Sequence, residues 1–269
     1  LSLGLTCHQL GLPFKIFEKA QRIKPLGVGI NIQPTATREL VALNLLEGLE
    51  SIGVKTRELS FFTKTGLEIW SEPRGLDAGY FYPQFSVHRG YLQLLLYNTL
   101  IERCGEEVVQ LGSSVTHCLT VNRKVQVSFV DASGKRKTIE GSICIGADGI
   151  NSSLRKQLYP LEGPPCWKGI TLWRGTSITK PFRSGATMAM IGHASQRIVA
   201  YPISSPDHCG NVVMNWICER KLESSQTSSK TDWSKSVDYT KFLPFFKSWS
   251  YDWFNSVSYT HLRAHETFA

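Results

Sequence analysis

No apolar run in these 269 residues approaches the ~20 needed to cross a bilayer, which excludes a membrane-spanning helix. No secretory leader is visible, and no internal repeat recurs along the chain. The seven cysteines (Cys7, Cys104, Cys118, Cys144, Cys166, Cys209, Cys218) include no C-x-x-C pair, so neither a zinc site nor a dithiol motif is predicted. They read as reduced packing residues, which predicts a cytoplasmic protein. Acid is in deficit, with 22 Asp and Glu against 30 Lys and Arg and a net charge of +8. Such an excess suits nucleic acid or an anionic ligand. The basic residues are scattered, however, and no nucleic-acid motif accompanies them, so a nucleic-acid partner is not predicted.

At 42% hydrophobic, the chain can bury a large core in one or two domains. Its organising stretch is ICIGADGINSSLR, Ile143 to Arg155. Ile143, Cys144 and Ile145 read as a short strand buried on both faces. Gly146 to Gly149 turn the chain, and Asn151, Ser152 or Ser153 supplies the cap of a following helix. In an open α/β sheet this geometry aims Asp148 and several backbone N–H groups into a ligand crevice. The other reading of Asp148 is a cap of a tight strand-to-helix turn.

Upstream, Leu1 to Leu10 is apolar at helical spacing, with Gly11 as its terminator. Leu12-Pro13 leads into a strand, Phe14 to Phe17, that closes on Glu18. Helix, glycine turn and acid-ended strand match the second half of a βαβ dinucleotide unit, in which the acid takes a ribose hydroxyl. Strand one and its G-x-G-x-x-G loop are absent from the sequence. Gly27 to Pro34 reads as a glycine-bearing loop, and Thr35 as the cap of a helix whose apolar face is Leu40, Leu43, Leu45, Leu46 and Leu49. Phe61-Phe62 and Ile69-Trp70 read as a hairpin.

Gln84 to Gly90 runs into a strong helix, Tyr91 to Arg103. Arg89 at its start is disfavoured by the helix dipole and is tolerable where an anion such as a pyrophosphate lies beside it; the other reading is an Arg that simply reaches solvent. Val115 to Val121, Lys124 to Val130 and a third segment ending near Ile139 read as antiparallel strands. Gly169 to Arg174, Thr187 to Ile191, Arg197 to Pro202 and Val212 to Cys218 predict a second antiparallel sheet. Lys221 to Ser236 reads as an exposed loop. Phe242 to Phe246 and Trp249 to Phe254 read as a short aromatic helical segment.

These pieces resemble the class A flavoprotein monooxygenases, the aromatic hydroxylase family. FEK (Phe17 to Lys19), SVHRGYLQ (Ser86 to Gln93) and GADGINSSLR (Gly146 to Arg155) are three of its signatures. The likeness is closest to the phenazine hydroxylase-like branch, through GVGINIQP, IWSEPRG (Ile69 to Gly75), YPQFSVHRG (Tyr82 to Gly90), GITLWRG (Gly169 to Gly175) and AYPIS (Ala200 to Ser204). It covers Leu1 to Phe254.

The resemblance implies an α/β fold, a Rossmann-like FAD-binding sheet of the glutathione-reductase type with an antiparallel substrate-binding sheet. The FAD-binding domain would take residues 1–72 and 73–165, the second part carrying the DG motif, and the substrate domain residues 166–256. Glu18, with Lys19 beside it, would bind the FAD adenosine ribose, and Val115 would lie near the adenine. Arg89 would contact the phosphate or ribityl region, with Asp148 and Gly149 at the ribityl-pyrophosphate. Gly29 and Ile30 would lie near the isoalloxazine. NADH or NADPH would be the reductant, O₂ the oxidant and a small aromatic molecule the substrate. Trp173 and Tyr201 are candidate substrate residues, although core packing is the commoner role of either. No acid or base is assigned, because the cofactor carries the chemistry.

Two departures set expectations of their own. The family's second FAD fingerprint, a GDAAH-type element, is missing along with the first phosphate loop, so the chain reads as a fragment truncated at both ends. In that form it is expected to be inactive and not to retain FAD. Val257 to Thr267, VSYTHLRAHET, resembles the translation of a transposase sequencing adapter, and residues 257–269 are expected to be an artefactual, loosely packed tail. The competing function is a non-catalytic remnant of the FAD fold that serves protein contacts.

Overall fold

Gly11 ends the first helix as expected. Its φ is +66°, and the N–H groups of Gly11 and Leu12 reach the His8 and Cys7 carbonyls at 3.0 and 2.8 Å, a Schellman ending. The computed structural model describes residues 1–164, 166, 168–221, 236–255 and 264–268. In chain order it forms α1 (Ser2–Gln9), β1 (Ile16–Glu18), β2 (Gly29–Ile32), α2 (Pro34–Ala42), α3 (Leu46–Ile52), β3 (Gly53–Thr56), β4 (Glu58–Phe62) and β5 (Glu68–Pro73). Next come β6 (Gln84–His88), α4 (Arg89–Cys104), β7 (Val109–Leu111), β8 (Ser114–Val121), β9 (Lys124–Val130), β10 (Arg136–Gly141) and α5 (Ser153–Leu158). The rest is β11 (Ile170–Thr179), β12 (Thr187–His193), β13 (Gln196–Pro202), β14 (Val212–Lys221), β15 (Ser236–Val237), α6 (Leu243–Phe246), β16 (Ser250–Tyr251), β17 (Phe254–Asn255) and β18 (Ala264–Phe268). The fold is mixed α/β with several sheets. No helix among the described residues is long and apolar enough to cross a membrane.

Two compact units divide the chain. The first comprises Leu1–Lys24 and Leu96–Cys166. In it β1 pairs with β7 in parallel, and β10, β9 and β8 form an antiparallel sheet. Gly4 lets α1 approach closely: a Cβ there would lie 2.9 Å from Ile16 and 3.3 Å from Leu100. Phe17 and Phe129 pack as a tilted ring pair, centroids 4.6 Å apart, between β1 and β9.

The second unit comprises Pro25–Leu95 and Trp167–Ala269. Its small sheet runs β2-β6-β3, and its large one β15-β18-β11-β14-β13-β12-β4-β5. The strands β11 to β14 form as antiparallel neighbours, as the sequence predicts. One face buries Trp173, Ile198, Ala200, Met214, Trp216 and Cys218 under Phe242, Phe246, Trp249 and Phe254. The other carries Val199, Tyr201 and Ile203, with Met188, Met190, Val213 and Ile217 packed against them.

Several expectations are corrected. Ile143 to Ile145 is not a strand, and Ile143 and Ile145 are 77% and 62% exposed. A strand needs a neighbour to take its backbone hydrogen bonds, and no described strand runs beside this segment. The Gly27 to Pro34 loop contains a strand, β2. Thr35 does not cap a helix: α2 begins at Pro34 after Gln33, whose side chain makes no capping bond. The run of leucines is two helices, because Asn44 adopts a left-handed φ of 57° and ends the first. The hairpin β4–β5 joins the large sheet through a parallel pairing of β4 with β12, so that sheet is not wholly antiparallel. Trp249 to Phe254 forms the two-stranded ribbon β16–β17 rather than helix. Ala264–Phe268, placed in a loose tail by its lack of an apolar face, pairs with β11 and β15. Residues 222–235, most of the predicted exposed loop, lie outside the described residues.

Candidate functional site

In the first unit, Glu18 closes β1 half-buried. Its Oε1 accepts the Ala20 N–H at 2.8 Å and its own carbonyl accepts the Ser113 N–H at 2.8 Å. The first bond pins the carboxylate and leaves Oε2 for a hydroxyl-bearing ligand. Lys19 is exposed, and Val115 stands half-buried on β8. Asp148 accepts the Ser152 hydroxyl and the N–H groups of Ser153 and Leu154, at 2.7 and 3.3 Å. Ser152 in turn caps α5 by accepting the Arg155 N–H at 2.9 Å. Burial raises the Asp148 pKa, but these hydrogen bonds, the Ser152 hydroxyl foremost, outweigh it and lower it. Asp148 therefore acts as a helix cap in this structure, with Gly149 at φ +76° beside it. With no strand at Ile143 to Ile145, Glu18 and Asp148 do not end two strands of one described sheet.

The second unit builds a tighter constellation around Gly27 to Gly29. Three backbone groups of this loop are held by side chains or neighbouring backbone. The Val28 carbonyl accepts the Arg89 N–H at 2.9 Å, and the Gly29 N–H donates to Asn215 Oδ1 at 2.7 Å. The Gly27 carbonyl faces the ring of His88, whose Nδ1 accepts the Gly90 N–H at 3.2 Å. The Arg89 guanidinium lies over Gly27, where a Cβ would be 2.8 Å from its Nε. Gly27 thus has two reasons to be glycine, this contact and its φ of +108°.

Register places Tyr201, Asn215 and Thr176 in one row across β13, β14 and β11, with Val199, Ile217 and Arg174 in the next. On the same face Tyr201 packs against Gly29 and hydrogen-bonds Asn31, whose Oδ1 accepts the Ser86 hydroxyl at 2.7 Å. Ser86 continues to Thr56 at 2.7 Å, so a buried polar chain runs from Tyr201 into the small sheet. Burial pushes the Tyr201 phenol well up, with Asn31 opposing it. Burial, then the Arg89 charge, lowers the pKa of half-buried Arg174. Ile30, one residue on from Gly29, turns the other way and is 38% exposed.

Trp173 and Tyr201 therefore part company. Trp173 belongs to the aromatic core, stacked on Phe242 at 5.7 Å, whereas Tyr201 braces the glycine loop. Sequence reasoning missed Asn215, His88 and Asn31. The available signal was a lone amide in the apolar strand VVMNWIC, since a buried amide requires partners.

These residues fit parts of FAD. A pinned carboxylate with a free oxygen suits ribose hydroxyls. β2 is an edge strand, so its outer backbone groups other than the Gly29 N–H, which Asn215 accepts, can meet the donors and acceptors of a flavin ring. The two guanidinium groups favour anionic ligand atoms.

No protein-family model matches the chain. Phenazine 1,6-dicarboxylic acid hydroxylase PhzS of Lysobacter antibioticus is 34% identical over 94% of the chain, which spans 63% of that enzyme. Salicylate hydroxylase of Pseudomonas putida is 29% identical over 63% of the chain and 38% of its own length. The chain belongs to the FAD-dependent aromatic monooxygenases. The fold agrees: Klebsiella pneumoniae HpxO, complexed with FAD and uric acid, superposes with a TM-score of 0.69 at 19% identity, covering 93% of this chain and 59% of that one. The chain thus spans less than two thirds of these members of the family.

His88 gives the loop a pH dependence. Burial lowers its pKa below 6.5, the Gly27 carbonyl opposing this and the Arg89 charge reinforcing it. A depressed histidine contributes stability above its unfolded pKa, and that contribution is lost as pH falls through the folded value. The His88 ring should therefore titrate below 6.5 by NMR, and His88→Gln should flatten the loss of stability on acidification below that pH. A ring titrating at or above 6.5 would remove His88 from this role.

Proposed function

We propose that this chain supplies the ribose, ring and substrate contacts of an FAD-dependent monooxygenase that uses NADH or NADPH and O₂ to hydroxylate a small aromatic or heteroaromatic molecule. The observation that carries the reading is the Gly27–Gly29 loop, held by Arg89, His88 and Asn215 and pressed against the sheet that bears Tyr201 and Asn215. When bound, FAD would supply the two-electron reduction and the oxygen chemistry. The chain's own residues bind, orient and exclude water. Glu18 holds the adenosine ribose, with Lys19 alongside and Val115 under the adenine. Arg89 meets the phosphate or ribityl oxygens. The turn at Asp148 and Gly149 lines the ribityl-pyrophosphate. Gly29 and Ile30, on edge strand β2, lie near the flavin ring.

The substrate would lie along the half-open row of Met190, Val199, Ile217 and Arg174, an apolar wall with one cationic end. Tyr201 backs that wall through Asn31 instead of touching substrate with a free hydroxyl, and Trp173 supports it from the opposite face.

The full-length protein, purified with FAD, should show a flavin visible spectrum and oxidise NADH or NADPH faster when an aromatic substrate is added. Glu18→Ala should weaken FAD binding by about 1–3 kcal/mol, the range for a buried hydrogen-bonding partner left unmade. Colourless wild-type protein that leaves both nicotinamides unconsumed would refute the reading. Unchanged flavin affinity in Glu18→Ala would remove that residue alone.

A further inference from the structure

Asn215 sits in the middle of β14, 0% exposed, between Tyr201 and Thr176 in register. Its Oδ1 accepts the Gly29 N–H, which fixes the orientation of the amide. Its Nδ2 is then left buried without a hydrogen-bond partner. A leucine of similar size would fill this strand position without that uncompensated donor. What the leucine could not do is receive the Gly29 N–H. The strand VVMNWIC carries a side-chain oxygen that ties the glycine loop to the sheet.

We propose that Asn215 is a positioning residue: it carries the Gly29 amide on its side chain and thereby sets the height of the loop beneath the flavin ring. The proposal rests on the FAD reading above. Gly29 N–H points away from β6, so in the absence of Asn215 no backbone acceptor in the small sheet replaces it. The Arg89 and His88 bonds still hold Gly27 and Val28, so removing Asn215 frees one end of the loop and leaves the fold intact.

Two variants of the full-length protein test this. Asn215→Leu removes acceptor and orphan donor together. Its melting temperature should stay within a few degrees of wild type, while Gly29 amide exchange in FAD-free protein accelerates about tenfold and FAD affinity falls about tenfold, equivalent to ~1.4 kcal/mol. Asn215→Asp keeps an oxygen for Gly29 and should restore slow exchange there. Stable folding with a weakened, loosened flavin site is a pattern that a core-packing role would not produce. Unchanged Gly29 exchange in Asn215→Leu, or unchanged FAD affinity despite faster exchange, would overturn the proposal while leaving the FAD reading standing. Wild-type protein that binds no FAD would sink that reading, and this inference with it.

Discussion

Replacing Gly29 with alanine should weaken FAD binding by about 2–3 kcal/mol, about thirty- to 150-fold, and lower folding stability by about 1–3 kcal/mol. The new methyl would lie 2.7 Å from Asn215 Cγ and 2.8 Å from Tyr201 Cε2. Neither side chain can swing aside. Asn215 is fully buried in β14, and Tyr201, 3% exposed, is tied to Asn31. The backbone must move instead, taking the Asn215 bond and the outer edge of β2 with it. Gly141→Ala is the control, since its added Cβ would meet nothing closer than 3.7 Å. FAD titration and denaturant unfolding of the full-length variants measure both quantities. Wild-type flavin affinity in Gly29→Ala would show that β2 is not the surface beneath the ring.

Where local rules decide the structure, the sequence was legible. Gly11 announces the end of α1, and the four strand-like runs between Gly169 and Cys218 predict the antiparallel neighbours β11 to β14. The family motifs pointed to the loop at Gly27 and to Arg89 before any contact was known. The failures lie where tertiary partners decide. Ile143-Cys144-Ile145 has strand chemistry, but no described strand lies beside it. Leu40 to Leu49 has one apolar stripe, but Asn44 at positive φ breaks it into two helices. Trp249 to Phe254 carries four aromatics in six residues, and spacing alone cannot distinguish a tight ribbon packed under a sheet from a helix.

The candidate site divides in the same way. Gly29, Ile30 and Arg89 were read from motifs, whereas Asn215, His88 and Asn31 act through bonds to residues far away in sequence. Nothing in a window around Asn215 reveals that its partner is Gly29. Pairing Tyr201 with Trp173 as candidates followed from aromatic content, and the pleat then put them on opposite faces of one sheet.

Glu58 should make the fold more acid-labile, and Glu58→Gln should lessen that lability at a cost of about 2 kcal/mol in stability at pH 7. The carboxylate sits where β4 joins the large sheet through β12. It accepts the hydroxyls of Ser71 at 2.6 Å, Thr187 at 2.8 Å and Ser60 at 2.9 Å, and the Arg183 guanidinium, which also reaches Glu68 at 2.7 Å. Burial raises its pKa, but the hydrogen bonds from Ser71, Arg183, Thr187 and Ser60 outweigh burial and bring it from 4.5 down to about 2. That fall, at about 1.4 kcal/mol per pH unit, is about 3 kcal/mol. The 20% of the side chain open to water reduces it to about 2 kcal/mol through solvent screening. Because the folded value is the lower one, the stabilisation is fully present above pH 4.5 and is lost as pH falls through about 2. Denaturant unfolding between pH 6 and 2 should show the wild type losing this increment and Glu58→Gln, already without it, losing less. Arg183 would keep Glu68 in the variant, so the remaining deficit reports the three hydroxyls and the lost charge at one junction. Parallel pH curves for the two proteins would mean that other carboxylates govern acid unfolding and that the β4–β12 junction does not depend on this ionised group.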